Sequence, residues 1–192
     1  MTRWILVRHA QSTSNAAGTL AGHLDVPLSL RGWQEALGLA SVLRSERIGR
    51  VVSSDLQRAA DTARVALSGR ALGLRTTPAL RERDVGAWTG APFADLRADG
   101  RLGGLDALRA RPPGGESLAD VALRALRFLE RMDDGRPTLV VAHGGLLRAL
   151  LGLVDGVEAA RIGERYVPNA VPHVRELPVG EIARLRAGLE AS

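Results

Sequence analysis

Two kinds of segment alternate along the chain, and their hydrophobic patterns predict different elements. Short runs rich in aliphatic and β-branched residues predict strands. These runs lie at residues 4–8, 50–53 and 74–77 and within PTLVVAHGG at 137–145, and two later apolar runs, at 174–177 and 182–185, are predicted to be edge strands.

Segments in which apolar residues recur every three or four positions predict the helices. One begins at an N-cap at Ser29 and continues to about Arg47. Another follows Ser117, which stands three residues before an aspartate in the spacing of a capping box. Two more helices are predicted at 55–67 and 146–153. The apolar stripe predicted for the first helix consists of Trp33, Ala36, Leu37, Ala40 and Leu43.

The alternation of strands and helices predicts an α/β fold with three layers, α/β/α, around a mostly parallel central sheet. We expect one domain, residues 1–192. The part from about 86 to 115 is rich in glycine, proline and alanine, which predicts an irregular, lid-like excursion. In open sheets of this kind ligands bind outside the carboxyl ends of the strands, so polar residues there are candidates for a site.

The chain contains neither cysteine nor lysine, which excludes several kinds of catalytic and binding site. The chain has no cysteine, which excludes disulfides, a thiolate nucleophile and a cysteine-based zinc site. All 26 basic residues are arginine, and the lack of lysine excludes a Walker A loop, a pyridoxal Schiff base and a kinase-type lysine. Any phosphate chemistry must therefore use arginine, histidine and backbone amides.

The net charge of +5 raises the question of a nucleic-acid partner. The arginines are scattered among 21 acidic residues, no basic run reaches five residues, and six aromatic residues are too few for a base-stacking platform. We therefore expect no nucleic-acid partner. No apolar run approaches the ~20 residues of a membrane span. No targeting segment is visible either, which favours a cytoplasmic protein without a membrane partner.

Histidine and arginine residues follow the predicted strands at their carboxyl ends. ILVRH ends in Arg8 and His9, LVVAH ends in His143, and VVSSDLQR leads into a helix whose first turn contains Arg58. If these strands are parallel neighbours, the four side chains converge where helix N-termini and guanidinium groups can form an anion pocket. The two glycines after LVVAH would let the backbone approach a ligand.

Taken one at a time, these features are more often structural than catalytic. The residues alone also leave two alternatives for a nucleophile, His9 and His143. A zinc site requires three or four clustered ligands, whereas His23 and His173 stand alone in turn-like or edge contexts, so we expect no metal. A serine hydrolase is disfavoured because the chain has no G-x-S-x-G elbow.

Five segments, spanning residues 4–150 in order, carry a resemblance to a known family. They are LVRHAQSTSN, GHLDVPLSLRGWQEA, SDLQRAADTA, LRERDVGAWTG and VAHGG. With these segments the chain resembles the histidine phosphatase superfamily, in its phosphoglycerate-mutase-like branch, and there the small bacterial phosphatases. The resemblance implies a phosphoglycerate-mutase-like fold and a phosphomonoesterase that works through a phosphohistidine, without a cofactor.

The resemblance also assigns roles to individual residues. His9 resembles the nucleophile and Glu82 the general acid, and His143 completes the catalytic set. The residues that resemble the phosphate-binding set are Arg8, Asn15, Arg58, His143 and Gly144, and those at the substrate mouth are Gly22 and His23. Ala10 replaces the usual glycine after the histidine, and because alanine makes a positive φ costly we expect a slightly different loop.

Phosphatases and mutases of this family share these residues and differ in whether water reaches the phosphohistidine. The chain ends in a short RLRAGLEAS, whereas the mutases are longer, which favours a phosphatase acting on a small organic phosphate. A cofactor-dependent phosphoglycerate mutase is the alternative. A non-catalytic anion- or nucleic-acid-binding module is the alternative from another class, although it would need neither His9 nor Glu82. The sequence is compatible with a monomer or a homodimer.

Overall fold

The computed structural model describes residues 1–102 and 107–191, with a five-stranded sheet at its centre. The strands are β1 (Thr2–Arg8), β2 (Arg50–Ser54), β3 (Leu74–Thr77), β4 (Thr138–Ala142) and β5 (Pro172–Leu177). Their order in the sheet is β3-β2-β4-β1-β5. All neighbouring pairs from β3 to β1 are parallel, whereas β5 pairs antiparallel with β1. The predicted mostly parallel sheet is confirmed.

Helices cover both faces of this sheet. They are α1 (Thr13–Ala17), α2 (Leu30–Leu43), α3 (Gln57–Ala66), α4 (Phe93–Ala98), α5 (Leu118–Leu129), α6 (Gly144–Val154) and α7 (Glu181–Ala191). One core cluster joins α5, α6 and α7 to the sheet, and a second joins α2 and α3 to the opposite face. The predicted three-layer architecture is therefore confirmed. None of the helices in the described ranges is long and apolar enough to cross a membrane.

Strand β1 shows why the central strands read as continuous apolar runs. Trp4 and Leu6 belong to the cluster with α5 and α6, whereas Ile5 and Val7 belong to the cluster with α2 and α3. Successive side chains of a strand point to opposite faces, so a strand covered on both sides needs apolar residues at every position. Polar residues then follow at the end of the strand, where the sheet edge meets solvent.

The edge strand predicted at 182–185 is wrong. These residues lie in α7, which buries Ile182 and Leu189 on one side. Ile182 and Leu189 are seven residues apart, which is about two helical turns. Ion pairs between Arg184 and Glu181 and between Arg186 and Glu190 each span one turn of the same helix. The other predicted edge strand, at 174–177, is confirmed as part of β5.

The helix predicted from Ser29 to about Arg47 ends at Leu43, and part of its predicted stripe is wrong. The structure buries Gly32, Ala36, Leu39 and Leu43. Trp33 and Leu37 remain 42% and 60% exposed. Each of these two residues follows a buried small residue and is rotated from it by about 100° around the helix axis, so it points away from the core.

The excursion predicted at 86–115 contains a short 3₁₀ turn, Gly86–Trp88, and the helix α4. Residues 103–106 of it lie outside the described residues. Val85, Trp88 and Leu96 form a small apolar cluster of their own. Val85 and Trp88 of this cluster also line the cavity that opens at the carboxyl ends of β1, β2 and β4.

Candidate active site

His9 and His143 follow neighbouring strands and lie side by side. Arg8 of β1 pairs in register with Ala142 of β4, so the next residue of each strand extends from the same edge. The ring centroids are 5.1 Å apart and the ring planes meet at 61°. His9 is 3% exposed and His143 is fully buried, and neither ring nitrogen of His143 has a hydrogen-bond partner in the described part of the chain.

A hydrogen bond to the backbone determines which ring nitrogen of His9 carries the proton. The Nδ1 atom lies 2.7 Å from the carbonyl oxygen of Ala10, and because a carbonyl can only accept, Nδ1 is the donor. In the neutral ring this leaves Nε2 without a proton. Burial, then the repulsion that would arise if His9 and His143 were both protonated, and then the charges of Arg58 and Arg8 hold the pKa of His9 well below its usual range. His9 is therefore neutral at pH 7, with a free lone pair on Nε2.

Ala10 itself is accommodated without strain. It is fully buried, and its N–H donates to the hydroxyl of Thr62 at 3.0 Å. Its φ does not lie in the positive region, where the one non-glycine residue is Ala170 among the residues that the structure describes. The loop after His9 therefore does not require a glycine at position 10.

Two arginines near the histidines donate hydrogen bonds to backbone carbonyl oxygens. Arg58, in the first turn of α3, is 1% exposed and donates to the carbonyl oxygens of Gly22 at 2.8 Å and Leu24 at 2.7 Å. Arg8 donates to the carbonyl oxygen of Val167 at 2.9 Å. Because carbonyl groups do not neutralise a guanidinium, both positive charges remain available to an anion.

The carboxylate of Glu82 lies at the N-terminus of α6. Its Oε2 accepts from the backbone N–H of Gly145 at 3.0 Å, and its Oε1 accepts from the N–H groups of Leu146 at 3.2 Å and Arg83 at 2.8 Å. A Cβ atom at position 145 would lie 2.6 Å from Oε1, so the contact requires glycine there. Burial raises the pKa of Glu82, but these hydrogen bonds and nearby arginine charges outweigh burial and hold the pKa below its usual value. The carboxylate is ionised at pH 7.

A second set of contacts holds the backbone of Glu82. Its carbonyl oxygen accepts from Nε2 of His23 at 2.7 Å and from the guanidinium of Arg124 at 2.8 Å. Arg124 is itself paired with Glu116 at 2.9 Å. Gly22 is among the described residues that line the cavity, and His23 is not. His23 thus contacts the backbone of the loop that carries Glu82, and its place at the substrate mouth stays a prediction.

Asn15 approaches the same cavity from α1. Its Oδ1 accepts from the N–H of Ser12 at 3.1 Å, and its own N–H donates to the Ser12 hydroxyl at 3.2 Å, which forms a capping box. These bonds engage Oδ1 and the backbone N–H of Asn15 but not its side-chain NH₂ group, and Asn15 is one of the residues that line the cavity. The nearby Asn169 donates to the carbonyl oxygen of His9 at 2.6 Å and so ties β1 to the segment before β5.

These residues enclose a cavity of about 670 Å³. Its inner part is lined by Arg8, His9, Asn15, Arg58, Glu82 and Gly144. Trp88, Phe93 and Arg97 of the excursion line its outer part. A volume of this size is typical of small-molecule sites and leaves room for an organic group beside a phosphate. Within the described ranges there is no group of three or more histidine, aspartate or glutamate side chains that could hold a metal.

Residues 4–178 match the family model of the histidine phosphatase superfamily (branch 1). The chain belongs to this superfamily. The resemblance seen in the sequence is therefore confirmed, and the match extends beyond the five segments that first indicated it.

Relatives within the superfamily carry two kinds of name. A glucosyl-3-phosphoglycerate phosphatase of Mycolicibacterium vanbaalenii is 37% identical over 171 residues, which cover 81% of this chain and 75% of the relative. A 2,3-bisphosphoglycerate-dependent phosphoglycerate mutase of Methylobacterium radiotolerans is 36% identical over 189 residues, 90% of this chain and 88% of the relative. A solved mycobacterial glucosyl-3-phosphoglycerate phosphatase in complex with VO3 superposes with a TM-score of 0.82 at 33% identity, covering 90% and 91% of the two chains. The phosphatase relatives support a phosphomonoester hydrolase.

Sequence reasoning missed several residues that build this superfamily site. Arg148 lines the cavity and contributes to the low pKa of Glu82. Its position one helical turn after Gly144 could have indicated this. Arg124 and Asn169 hold backbone carbonyl groups from distant parts of the chain, and no local spacing signals such contacts.

Proposed function

We propose that this protein hydrolyses a small organic phosphate through a phosphohistidine formed on His9. The observation that supports this most strongly is the hydrogen bond from His9 Nδ1 to Ala10, because it leaves Nε2 unprotonated beside two arginines. In the first step Nε2 bonds to phosphorus while the bond between phosphorus and the ester oxygen breaks, and the alcohol leaves with a proton. In the second step water attacks the phosphohistidine, which releases inorganic phosphate and restores His9.

The phosphoryl group would be held by the charges around Nε2. Phosphoryl transfer asks the protein chiefly to position the reactants and to stabilise negative charge. Arg8 and Arg58 supply forked donors for the phosphoryl oxygens, and the NH₂ group of Asn15 supplies another. The neutral ring of His143 also carries one N–H that has no acceptor among the described residues. His143 is not among the described residues that line the cavity, but its ring centroid lies 5.1 Å from that of His9, and we infer that this N–H donates to a phosphoryl oxygen bound next to His9.

Glu82 would give the leaving oxygen its proton, and it can do so only after the substrate binds. In the free protein its pKa lies below the usual value. A bound phosphate places negative charge next to the carboxylate and neutralises the arginines, and both effects raise the pKa of Glu82. The proton can arrive with the substrate, because a phosphate monoester is partly monoanionic near its second pKa of about 6.

The cavity favours hydrolysis of small substrates. Its volume of about 670 Å³ exceeds what a phosphate needs, and relatives that cover most of the chain are named as phosphatases of a glucosylated phosphoglycerate. The second candidate is mutase activity, which a relative with 36% identity carries in its name. Incubation with 3-phosphoglycerate and 2,3-bisphosphoglycerate distinguishes the two: a phosphatase releases inorganic phosphate, whereas a mutase produces 2-phosphoglycerate.

The same proposal includes the setting in which the enzyme works. We infer a single domain over residues 1–192 that acts in the cytoplasm, as a monomer or homodimer, without a cofactor, a metal or a nucleic-acid partner. Scattered arginines and few aromatic residues support the last of these points. The chemistry supports the absence of a metal, because Arg8 and Arg58 can neutralise the phosphoryl charge that a cation would otherwise offset.

Replacement of His9 tests the proposal directly. We expect His9→Ala to lower the turnover of p-nitrophenyl phosphate by about 10³-fold or more, because no second histidine is among the described residues that line the cavity. His173→Ala, which removes a histidine outside the cavity lining, should keep most of the activity. The unaltered enzyme, quenched during turnover, should carry phosphate that acid releases and base does not. An active His9→Ala protein would rule out the assignment.

A further inference from the structure

A second cleft opens at the amino-terminal ends of the strands, on the side of the sheet opposite to the strand ends that His9 and His143 follow. It has a volume of about 380 Å³ and lies where β2 begins, close to the start of β3 and to the turn before β4. Four of the described residues that line it are arginines: Arg50, Arg75, Arg131 and Arg136. We call it the basic cleft. Because β2 runs from Arg50 to Ser54 and α3 then brings Arg58 to the catalytic cavity, the two cavities lie at opposite ends of one strand.

The positive charge of the basic cleft is largely uncompensated. Arg50 pairs with Asp134 at 2.6 Å and also donates to the carbonyl oxygen of Met132 at 2.8 Å. The hydrogen bond from Arg50, and then the charges of Arg50 and Arg136, hold the pKa of Asp134 below its usual value, so it remains a single negative charge. Within the described ranges no carboxylate lies in salt-bridge distance of Arg75, Arg131 or Arg136.

One aromatic ring brings two of these arginines together. The guanidinium carbon of Arg75 lies 5.2 Å from the ring centroid of Phe128, and that of Arg131 lies 5.9 Å from it. Phe128 is 3% exposed and fixed in the core, so it provides a rigid support for both cations. Cation–π attraction offsets part of the repulsion between two like charges, and a bound anion would offset the rest.

We propose that the basic cleft is a binding site for a small molecule that carries two or more phosphate groups. Arginine forks suit phosphate oxygens, and several guanidiniums around one cleft match a ligand with several negative charges better than a single phosphate. The cleft is concave and of a volume suited to a small ligand, whereas nucleic acid requires a much broader surface. The site is separate from the catalytic cavity and does not depend on the function proposed for His9.

Calorimetric titration with methylenediphosphonate, a diphosphate analogue that resists hydrolysis, tests this site in the full chain. We expect binding that remains in Arg58→Ala, since Arg58 belongs to the other cavity. Arg75→Gln/Arg131→Gln should weaken that binding by about tenfold or more, because it removes two charged donors and leaves shorter, neutral polar side chains. The double variant should still turn over p-nitrophenyl phosphate at the rate of the unaltered protein, which also shows that it folds.

A charge-matched control separates a built site from general attraction. Arg64→Gln/Arg184→Gln removes the same charge from two arginines whose side chains are 61% and 77% exposed elsewhere on the surface, and it should bind the analogue unchanged. Equal weakening in both double variants would show non-specific attraction and overturn the proposal. Loss of all binding in Arg58→Ala would overturn it as well. If the double variant fails to fold, the single variants Arg75→Gln and Arg131→Gln should each weaken binding severalfold, and unchanged binding in both would reject the site.

Discussion

Three backbone amide groups hold the carboxylate of Glu82 at the N-terminus of α6. Such donors stabilise the charged form, while a general acid needs the proton. The two requirements are compatible if the bound phosphate changes the charge around Glu82 during the catalytic cycle. A carboxylate that is always ionised would instead be a structural element of the loop.

Glu82→Gln separates these two roles at the residue scale. p-Nitrophenolate leaves readily without a proton, whereas the alkoxide of a sugar or glycerol does not. We therefore expect Glu82→Gln to reduce turnover of an alkyl phosphate by about 10²–10⁴-fold and turnover of p-nitrophenyl phosphate much less. Steady-state kinetics on the two esters measures the difference, and the basic limb of the pH profile on the alkyl ester should flatten in the variant.

The structural role makes a different prediction for the same variant. Both esters would then lose turnover by similar factors, and the melting temperature would fall because the amides of α6 lose a charged acceptor. An ion pair of Glu82 with Arg81 is not the alternative, since Arg81 binds Asp55 with two hydrogen bonds of 2.8 and 2.7 Å. Similar losses on both esters would direct the search for a proton donor to Asp84 or to water.

At the scale of elements, the first turn of α6 must come close to Glu82. We expect Gly145→Ala to destabilise the fold by about 1–3 kcal/mol, because the added methyl group would lie 2.6 Å from Oε1 of Glu82 and the carboxylate must move. Turnover of an alkyl phosphate should fall more than that of p-nitrophenyl phosphate. Urea unfolding and kinetics on both esters provide the measurements.

Gly38→Ala is a matched control for that substitution. Gly38 also lies inside a helix, α2, but a Cβ atom there meets nothing within 4 Å. This variant should be more stable than the unaltered protein by up to about 1 kcal/mol, since alanine favours the helix, and its kinetics should not change. If Gly145→Ala behaved like Gly38→Ala, the close approach of α6 to Glu82 would not matter for stability or catalysis.

The elements that the sequence predicted well are those with strong local patterns. β1 and β4 each contain an unbroken run of four apolar residues, and Ser117 caps α5 as its spacing indicated. In α7 the pattern is weak: two buried residues, Ile182 and Leu189, stand seven positions apart among charged residues. A short apolar pair such as Ile182 and Leu185 fits a strand and a helix equally well, and contacts with α5 decide for the helix.

In the inner part of the site, too, some features could be predicted from local sequence patterns and others depend on contacts between distant parts of the chain. Arg8, His9 and His143 end strands whose parallel pairing brings them together, so their proximity could be predicted from the pattern. The contacts that orient Glu82 could not, because Arg124 lies more than 40 positions away in sequence and reaches its carbonyl group only after α5 has packed.

At the scale of the whole molecule, two buried neutral histidines make stability depend on pH. Burial, and then the charges of neighbouring groups, hold the pKa of His9 and of His143 well below the usual value of about 6.5. The unfolded chain takes up these protons below about pH 6.5 and the folded protein does not, so stability is complete above that pH and falls as the pH decreases. Each histidine contributes a slope of up to about 1.4 kcal/mol per pH unit.

Urea unfolding between about pH 5 and 6.5 measures this effect. His173, whose pKa is also lowered, chiefly by burial, adds a slope in the same range, but it is present in all the proteins compared. Asp155, whose pKa is lowered to about 2 by its hydrogen bonds and ion pairs with Arg175 and Arg165, affects stability only in a more acidic range. We expect His9→Gln/His143→Gln to have a clearly smaller slope than the unaltered protein, with each single variant in between. Equal slopes in all four proteins would mean that the histidines are not neutral in the fold.

Removal of metal ions should change neither the activity nor the stability of the protein. Arg8 and Arg58 supply the positive charge that phosphoryl transfer needs, and no cluster of metal ligands occurs in the described ranges. We therefore expect prolonged EDTA treatment followed by desalting to change both the turnover of p-nitrophenyl phosphate and the melting temperature very little. Loss of activity that zinc or magnesium restores would contradict this expectation.

The two outermost strands of the sheet, β3 and β5, also affect whether the protein aggregates in concentrated solution. An exposed edge strand offers free N–H and C=O groups to another molecule, and proteins limit this with short edge strands, proline and charged residues. β3 is four residues long. β5 begins with Pro172 and carries Arg175 and Glu176. A second molecule would thus find little backbone to extend by strand addition at either edge, and resistance to aggregation follows from the way the sheet ends as well as from the net charge.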